Sequence, residues 1–346
     1  MTRVERLLNG ADGSTRIVEI GPGYNPAAPK RAGWNTHVID HASREELRRK
    51  YADAPWDIEA IEEVDTIWND GPLHEAVGSE LHGTFDLLIA SHVIEHVPDF
   101  IRFLGSAAVL LKPDGVMSLA VPDRRYCLDY FKPPSSTGDV LEAYVARRTR
   151  HSVRSLWNHT AYAIRMNGIE AWGQHAVSEP MFIASFEDAA AVQRAALNDG
   201  GGYTDCHAWQ FTPAAFRLVM LELAQLGLVD WHVAHLAGPE GCEFLTILRR
   251  GAERIADPDE LQRRRMALLR EQLTELREQI DFVIAGGAVP ADGLSTAAAG
   301  ARQLGHQDRR LSELERQLLE VRSVLDRIVR WLWPFRKLLH LLRIRG

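Results

Sequence analysis

Short continuous apolar runs dominate the first two-thirds of the chain, and a heptad repeat dominates the last third. Arg16-Ile17-Val18-Glu19-Ile20 is a β-rich run that stops at Gly21-Pro22-Gly23. Thr36 to Asp40 is a second, ending in a carboxylate, and Val64 to Ile67 a weaker third. Phe85 to Ala90 and Val116 to Val121 follow, the latter introduced by the turn Lys112-Pro113-Asp114-Gly115. Leu228 to Val233 and Phe244 to Leu248 complete seven expected strands. Runs of this kind suit strands covered on both faces. Phe100 to Leu111 has helical apolar spacing between two of them, and Ala214 to Leu226 starts at Thr212-Pro213 and stops at Gly227. Alternating strands and helices predict an α/β, Rossmann-like doubly wound sheet, mostly parallel, spanning residues 1–250.

Two stretches break that rhythm. Residues 124–206 lack strand-like runs and are rich in aromatic, histidine and arginine side chains, which predicts a helical insertion near the carboxyl ends of the strands. Beyond residue 250 the pattern becomes heptad. Met266, Leu269, Leu273, Leu276, Ile280 and Val283 form one seam; Leu311, Leu314, Leu318, Val321, Leu325, Ile328 and Leu332 form another. A Gly/Ala-rich link, 285–300, separates them. The pattern predicts a coiled-coil extension over 251–330, either a hairpin or a stalk that joins copies of the chain or a partner enzyme. Residues 331–346 follow as a basic, aromatic and leucine-rich tail suited to an anionic membrane surface or to docking on protein.

Composition narrows the class. The 346 residues are 46% hydrophobic and 25% charged, an ordinary globular mixture with net charge −7. That charge is uneven: residues 1–250 carry −10 and the rest +3. An acidic body argues against a nucleic-acid partner. Three cysteines, Cys127, Cys206 and Cys242, show no metal-binding spacing, so no metal site is expected. Neither a secretory signal nor a run of 18 apolar residues is visible, so the expected location is cytoplasmic, with peripheral membrane attachment through the tail as a further option.

The first chemical signal is Val18-Glu19-Ile20-Gly21-Pro22-Gly23, a glycine turn where backbone can approach a ligand closely. Asp40, at the end of the second strand, is placed to accept ribose hydroxyls. A dinucleotide fingerprint needs a third glycine, but Pro26 stands there and Pro29 follows, which disfavours a long phosphate-binding helix. Glu19 repels a pyrophosphate and suits a cationic ligand. S-adenosylmethionine carries an ammonium and a sulfonium and no phosphate.

These residues, with Phe85-Asp86-Leu87-Leu88-Ile89-Ala90-Ser91-His92-Val93-Ile94-Glu95-His96-Val97 and Leu110-Leu111-Lys112-Pro113-Asp114-Gly115, resemble class I S-adenosylmethionine-dependent methyltransferases of the type 11 group. The resemblance covers roughly residues 15–125. It implies that Gly21 and Gly23, with Glu19 beneath them, hold the methionine moiety and that Asp40 holds the ribose. It also implies that Asp65 lies near the adenine amine and that Ser91 and His92 line the cofactor through their backbone.

Methyl transfer to a hydroxyl calls for a general base. Glu95 and His96 follow the fourth strand and are candidates, or else a capping pair. His207, before Phe211-Thr212-Pro213, is another, or else a satisfied structural histidine. Asp123, Arg124 and Arg125 follow the fifth strand, where the arginines are placed to hold an acceptor phosphate or carboxylate, or else form a solvated cluster. The segment Val121-Pro122-Asp123-Arg124-Arg125-Tyr126 through Phe131-Lys132-Pro133-Pro134, with the heptad extension, resembles methyltransferases that accompany bacterial surface-glycan glycosyltransferases. That implies a saccharide or lipid-linked acceptor. The alternatives are a nicotinamide-dependent oxidoreductase and a non-catalytic coiled-coil scaffold that senses the cofactor.

Overall fold

The computed structural model describes residues 1–173, 179–198, 203–252 and 254–284. Strand β1, Arg16–Ile20, lies at its centre, flanked in parallel by β2, Asn35–Asp40, and β4, Phe85–Ser91. β3, the two-residue strand Thr66–Ile67, extends the β2 side. β5, Leu111–Pro122, extends the β4 side in parallel. The β6–β7 ribbon, Ile164–Arg165 with Met181–Phe182, stands apart from this sheet. The antiparallel β8, Trp231–Glu240, and β9, Glu243–Arg250, close the order β3-β2-β1-β4-β5-β9-β8. The chain leaves β1 in one direction and returns at β4 on its other side. This reversal opens a crevice beyond the carboxyl ends of β1 and β4.

Alternation along the strands builds two cores. Val18, Ile20, Leu88, Ala90, Leu119 and Val121 face one side, under helices α4, Phe100–Leu110, and α8, Pro213–Gln225. Ile17, Leu87, Ile89, Ala120 and Ile247 face the other, covered by Leu7 of α1, Arg3–Leu8, and by Ala27 and Ala28. A loop and the short 3-10 turn Lys30–Ala32 stand where a long first helix was disfavoured by Pro26 and Pro29. α2, Arg44–Lys50, follows β2 and α3, Leu73–Ala76, follows β3. Asp99 and Thr212 cap α4 and α8, with Pro213 at the first helical position.

Strand β8 starts later than its apolar run suggests. Leu228 and Val229 pack on the core from the loop after Gly227, and the second half of β8, beyond the apolar run, is ordered by its ladder to β9. Between β5 and α8 lie α5, Thr137–Val145, α6, Val153–Tyr162, α7, Phe186–Leu197, and the ribbon.

Helix α9, Pro258–Ile284, carries the first heptad seam, but the seam does not make its contacts. α9 packs on α8 through buried Leu268, through the ion pairs Arg265–Glu222 and Arg217–Glu271 at 2.8 Å each, and through Glu275, which accepts from the Ala214 N–H at 3.2 Å. Met266, Leu269, Leu273 and Ile280 stay exposed. The helix that follows the expected boundary at residue 250 is therefore docked on the sheet domain. The second seam, the link 285–300 and the tail 331–346 lie outside the described residues. No described helix is long and apolar enough to cross a membrane.

Candidate active site

The crevice holds a cavity of about 530 Å³ lined by Gly21, Gly23, Asp40, Trp68, His92 and His96, among others. That size suits a cofactor-sized ligand. Gly21 and Gly23 have φ of +62° and +51°, in the left-handed region, and a Cβ on Gly21 would meet Val93 Cγ2 at 3.1 Å. The turn thus needs glycine both for its backbone and for its floor. Asp40 is buried at the end of β2. One of its oxygens accepts from the Gly23 N–H at 3.2 Å; the other accepts from the His41 N–H and pairs with His41 Nδ1, both at 2.7 Å. It clamps the turn and still faces the cavity. The donor set fits S-adenosylmethionine: a tight glycine floor for the amino-acid end, a strand-end carboxylate for ribose hydroxyls and an apolar wall of Trp68, Leu73 and Phe103 for a base.

Three of the residues expected around the cofactor sit elsewhere. Glu19 points into the protein, accepting from the Ala27 and Ala28 N–H groups at 2.6 and 3.1 Å, and is not part of the cavity lining. It pins the loop that replaces the first helix, and burial raises its carboxyl to about 7. Asp65 is spent on the Val38 N–H at 2.7 Å and on Lys30 Nζ at 2.5 Å. β3 ends two residues later, so Trp68, Asn69 and Asp70 line that part of the cavity instead. Ser91 Oγ accepts from Arg3 at 2.7 Å and lies outside the lining, whereas His92 lies within it.

Asp123, Arg124 and Arg125 are also structural. All three are buried. Arg125 grips Asp123 through Nε and Nη2 at 2.9 and 2.7 Å. Arg124 donates to the Tyr130 and Lys132 carbonyls at 2.9 and 2.6 Å and to Gln279 of α9 at 2.8 Å. Guanidinium groups buried in the protein, with their terminal nitrogens engaged there and none of the trio in the cavity lining, are not available to an acceptor anion, which corrects the expectation for this trio.

Glu95, His96 and His207 come together. A short 3-10 turn, Ile94–His96, follows β4, entered through His92 at φ +55°. The Glu95 carbonyl accepts from Ala208 N–H at 2.7 Å, which draws the segment before α8 against the turn. Trp209 Nε1 adds a bond to the Val97 carbonyl at 2.7 Å, and the His96 and His207 rings meet edge to face at 4.6 Å. His96 Nδ1 bonds Asp205 at 2.8 Å, and His207 Nδ1 bonds Asp129 at 2.7 Å. Lys132 pairs with the same Asp129, so a buried carboxylate holds both. Burial alone would raise Asp129, but His207 and Lys132 hold it far below the usual carboxylate range. Burial pushes the His96 imidazole down, while the Asp205 bond and the Glu95 charge lift it further, leaving it above its ordinary value.

Glu95 itself is 1% exposed. Neither of its carboxylate oxygens has a hydrogen-bond partner among the described residues. His92 Nδ1 stands 3.5 Å and His96 Nε2 3.8 Å from Oε1. Asp129 and Asp205, which orient the two histidines, were missed by sequence reasoning; their signal was only an acid in the insertion 78 and 109 positions from its partner.

Residues 1–172 match the family model described as "Methyltransferase domain". A ubiquinone biosynthesis O-methyltransferase of Rhodopseudomonas palustris (strain HaA2) is 48% identical over 42 residues, which is 12% of this chain and 17% of that protein. The alignment thus spans about a sixth of the relative's length. Among solved structures, the CcbJ methyltransferase from Streptomyces caelestis is 11% identical with a TM-score of 0.37, covering 72% of this chain and 94% of that one. A SAM-dependent methyltransferase from Methanosarcina mazei is 12% identical with a TM-score of 0.37, covering 73% and 99%. Likeness at that level decides neither fold nor activity. The domain match, taken with the glycine turn and the strand-end Asp40, sets aside the nicotinamide reading: residues 1–172 are a methyltransferase domain of the class I S-adenosylmethionine-dependent family.

Proposed function

We propose that this protein methylates a hydroxyl oxygen of a small, polyhydroxylated acceptor, with a saccharide or lipid-linked saccharide as the class. The observation that carries the reading is His96 in the wall of the cofactor cavity, backed by the buried Glu95 and His207, where an acceptor oxygen would need its proton removed. The cofactor supplies a methyl group on a sulfonium sulfur, already activated for displacement. The residues then have three tasks. Gly21, Gly23 and Asp40 fix the donor end of the cavity. Tyr203, Arg148, Thr149 and Asp205 offer a polar and aromatic rim to the acceptor. The Glu95–His96–His207 group draws off the hydroxyl proton as the oxygen bonds to the methyl carbon and the carbon–sulfur bond gives its pair to sulfur. Alignment of the two partners in a closed crevice supplies much of the remaining rate.

The curated relative's name, an O-methyltransferase, agrees with oxygen as the acceptor atom. The exposed stripe Met266, Leu269, Leu273 and Ile280 suits a second copy or a partner enzyme, and residues 331–346 suit an anionic membrane surface.

Labelled S-adenosylmethionine incubated with the full chain and fractionated lysate tests the acceptor class. Label in a saccharide or glycolipid fraction, stable to base as an ether is, supports the reading; label in protein or in nitrogen-linked products refutes it. Calorimetry with S-adenosylhomocysteine tests the donor site. Gly21→Arg, which fills the glycine floor, should abolish binding, and Asp40→Ala should weaken it strongly.

A further inference from the structure

We propose that Glu95, His96 and His207 form a binding site for a divalent transition-metal ion of the Zn²⁺ class, opening onto the cofactor cavity. One ligand atom from each lies within 4.8 Å of the other two, and this is the one such group among the described residues. Ligands around a tetrahedral ion at about 2.1 Å stand roughly 3.4 Å apart, and His96 Nε2 is already 3.8 Å from Glu95 Oε1.

Two independent features point the same way. The first is the Glu95 carboxylate, almost fully buried, with both oxygens lacking a hydrogen-bond partner. An anion in that condition costs several kcal/mol by order of magnitude unless something cationic meets it. The second is the way the imidazoles are held. Each uses Nδ1 to bond a carboxylate, His96 to Asp205 and His207 to Asp129, which leaves Nε2 as the remaining ring nitrogen. A carboxylate behind the far nitrogen is the arrangement that fixes the tautomer and orientation of a metal-bound histidine. Two imidazoles and one carboxylate suit Zn²⁺ and its neighbours better than Mg²⁺ or Ca²⁺, and three protein ligands leave a fourth position open. His96 lines the cavity, so that position is within reach of an acceptor.

The ion's use rests on the hydroxyl-methylation reading; its binding does not. In the loaded site the three side chains are ligands, and the ion takes over the task of making the acceptor hydroxyl acidic. This arrangement was not legible as a metal motif because His207 arrives from a segment 111 positions after His96, across the whole insertion.

The test uses the full chain, stripped with chelator and studied without cofactor or acceptor. Zn²⁺ uptake by equilibrium dialysis should reach about one equivalent, and Co²⁺ should give the intense visible absorption of a tetrahedral site. Glu95→Gln and His207→Gln should each weaken Zn²⁺ affinity more than about 100-fold, and Asp129→Asn about 10- to 100-fold. His235→Asn, at an exposed position of β8, should leave affinity unchanged. Circular dichroism confirms folding, and His207→Gln serves if Glu95→Gln fails to fold. Uptake equal in wild type and in a folded ligand variant overturns the proposal. S-adenosylhomocysteine calorimetry on the same samples separates the two readings. Loss of metal specificity with cofactor binding intact refutes only the ion, whereas intact metal binding without cofactor binding refutes only the methyl-transfer reading.

Discussion

Two ionic clusters sit at the same rim, beyond β4 and β5, and are built on opposite principles. In Asp123–Arg124–Arg125 the charged ends are buried and held by geometric partners: a bidentate carboxylate for Arg125, and two carbonyls and an amide for the terminal nitrogens of Arg124, whose Nε alone is left over. In Glu95–His96–His207 the central carboxylate is equally buried and has no hydrogen bond, while its neighbours are oriented toward it by carboxylates of their own. The first cluster ties the start of the insertion to α9. The second keeps unused bonding capacity and reaches the cavity through His96. Burial does not distinguish a structural charge from a functional one; hydrogen-bond satisfaction does.

The largest expected effect comes from breaking the satisfied cluster. Arg125→Ala leaves Asp123 buried and unpaired and should cost about 3–5 kcal/mol, read by urea unfolding, with S-adenosylhomocysteine affinity retained by the folded fraction. Glu95→Gln should do the reverse, changing stability by less than about 1 kcal/mol while lowering methyl transfer roughly 100-fold, or about 2.7 kcal/mol in the barrier. Loss of stability without loss of transfer would erase the contrast.

A third test concerns Glu243, which accepts from Arg3 at 2.5 Å and pairs with His92 at 2.7 Å beside the open cluster. Burial raises its carboxyl, but the His92 and Arg3 bonds outweigh it and bring it down to about 2. A depressed carboxyl stabilises the fold above its unfolded value of 4.5, and that stability drains away as pH falls from there toward 2. Unfolding free energy should therefore drop by about 2 kcal/mol over that window from this group, and Glu243→Gln should remove this part of the slope. The smallest effect is expected on α9. Leu273→Glu, at an exposed position of the heptad stripe, should change monomer stability by less than about 0.5 kcal/mol. A larger loss that depends on protein concentration would show that a second copy covers the stripe.

How much was legible follows from which groups act locally. The glycine turn and Asp40 were readable because each is defined by its own strand end, and strand ends are marked by apolar runs. The pairing of Glu95 with His96 was readable as adjacency, though not which of them would be left without a partner. Asp65 and Arg124 misled because a strand-flanking acid or arginine looks the same whether its partner is a ligand or the protein. Lys30 and the carbonyls of Tyr130 and Lys132 take them up, and these come from loops with no periodic signature. The heptad seam left its own partner open for a related reason: periodicity says that a stripe is apolar, not which face the neighbouring helix will choose. Ion pairs to Glu222 and Arg217 chose another face.

By itself, then, the order of apolar runs, glycines and prolines determined the strand succession, the missing first helix and the cofactor class, since those depend on backbone conformation and two-faced burial within short segments. The chemistry facing the acceptor was decided only by tertiary structure. The Glu95 carbonyl captures the chain at Ala208, and that hydrogen bond brings His207, held from behind by Asp129, to a carboxylate more than a hundred residues before it in sequence.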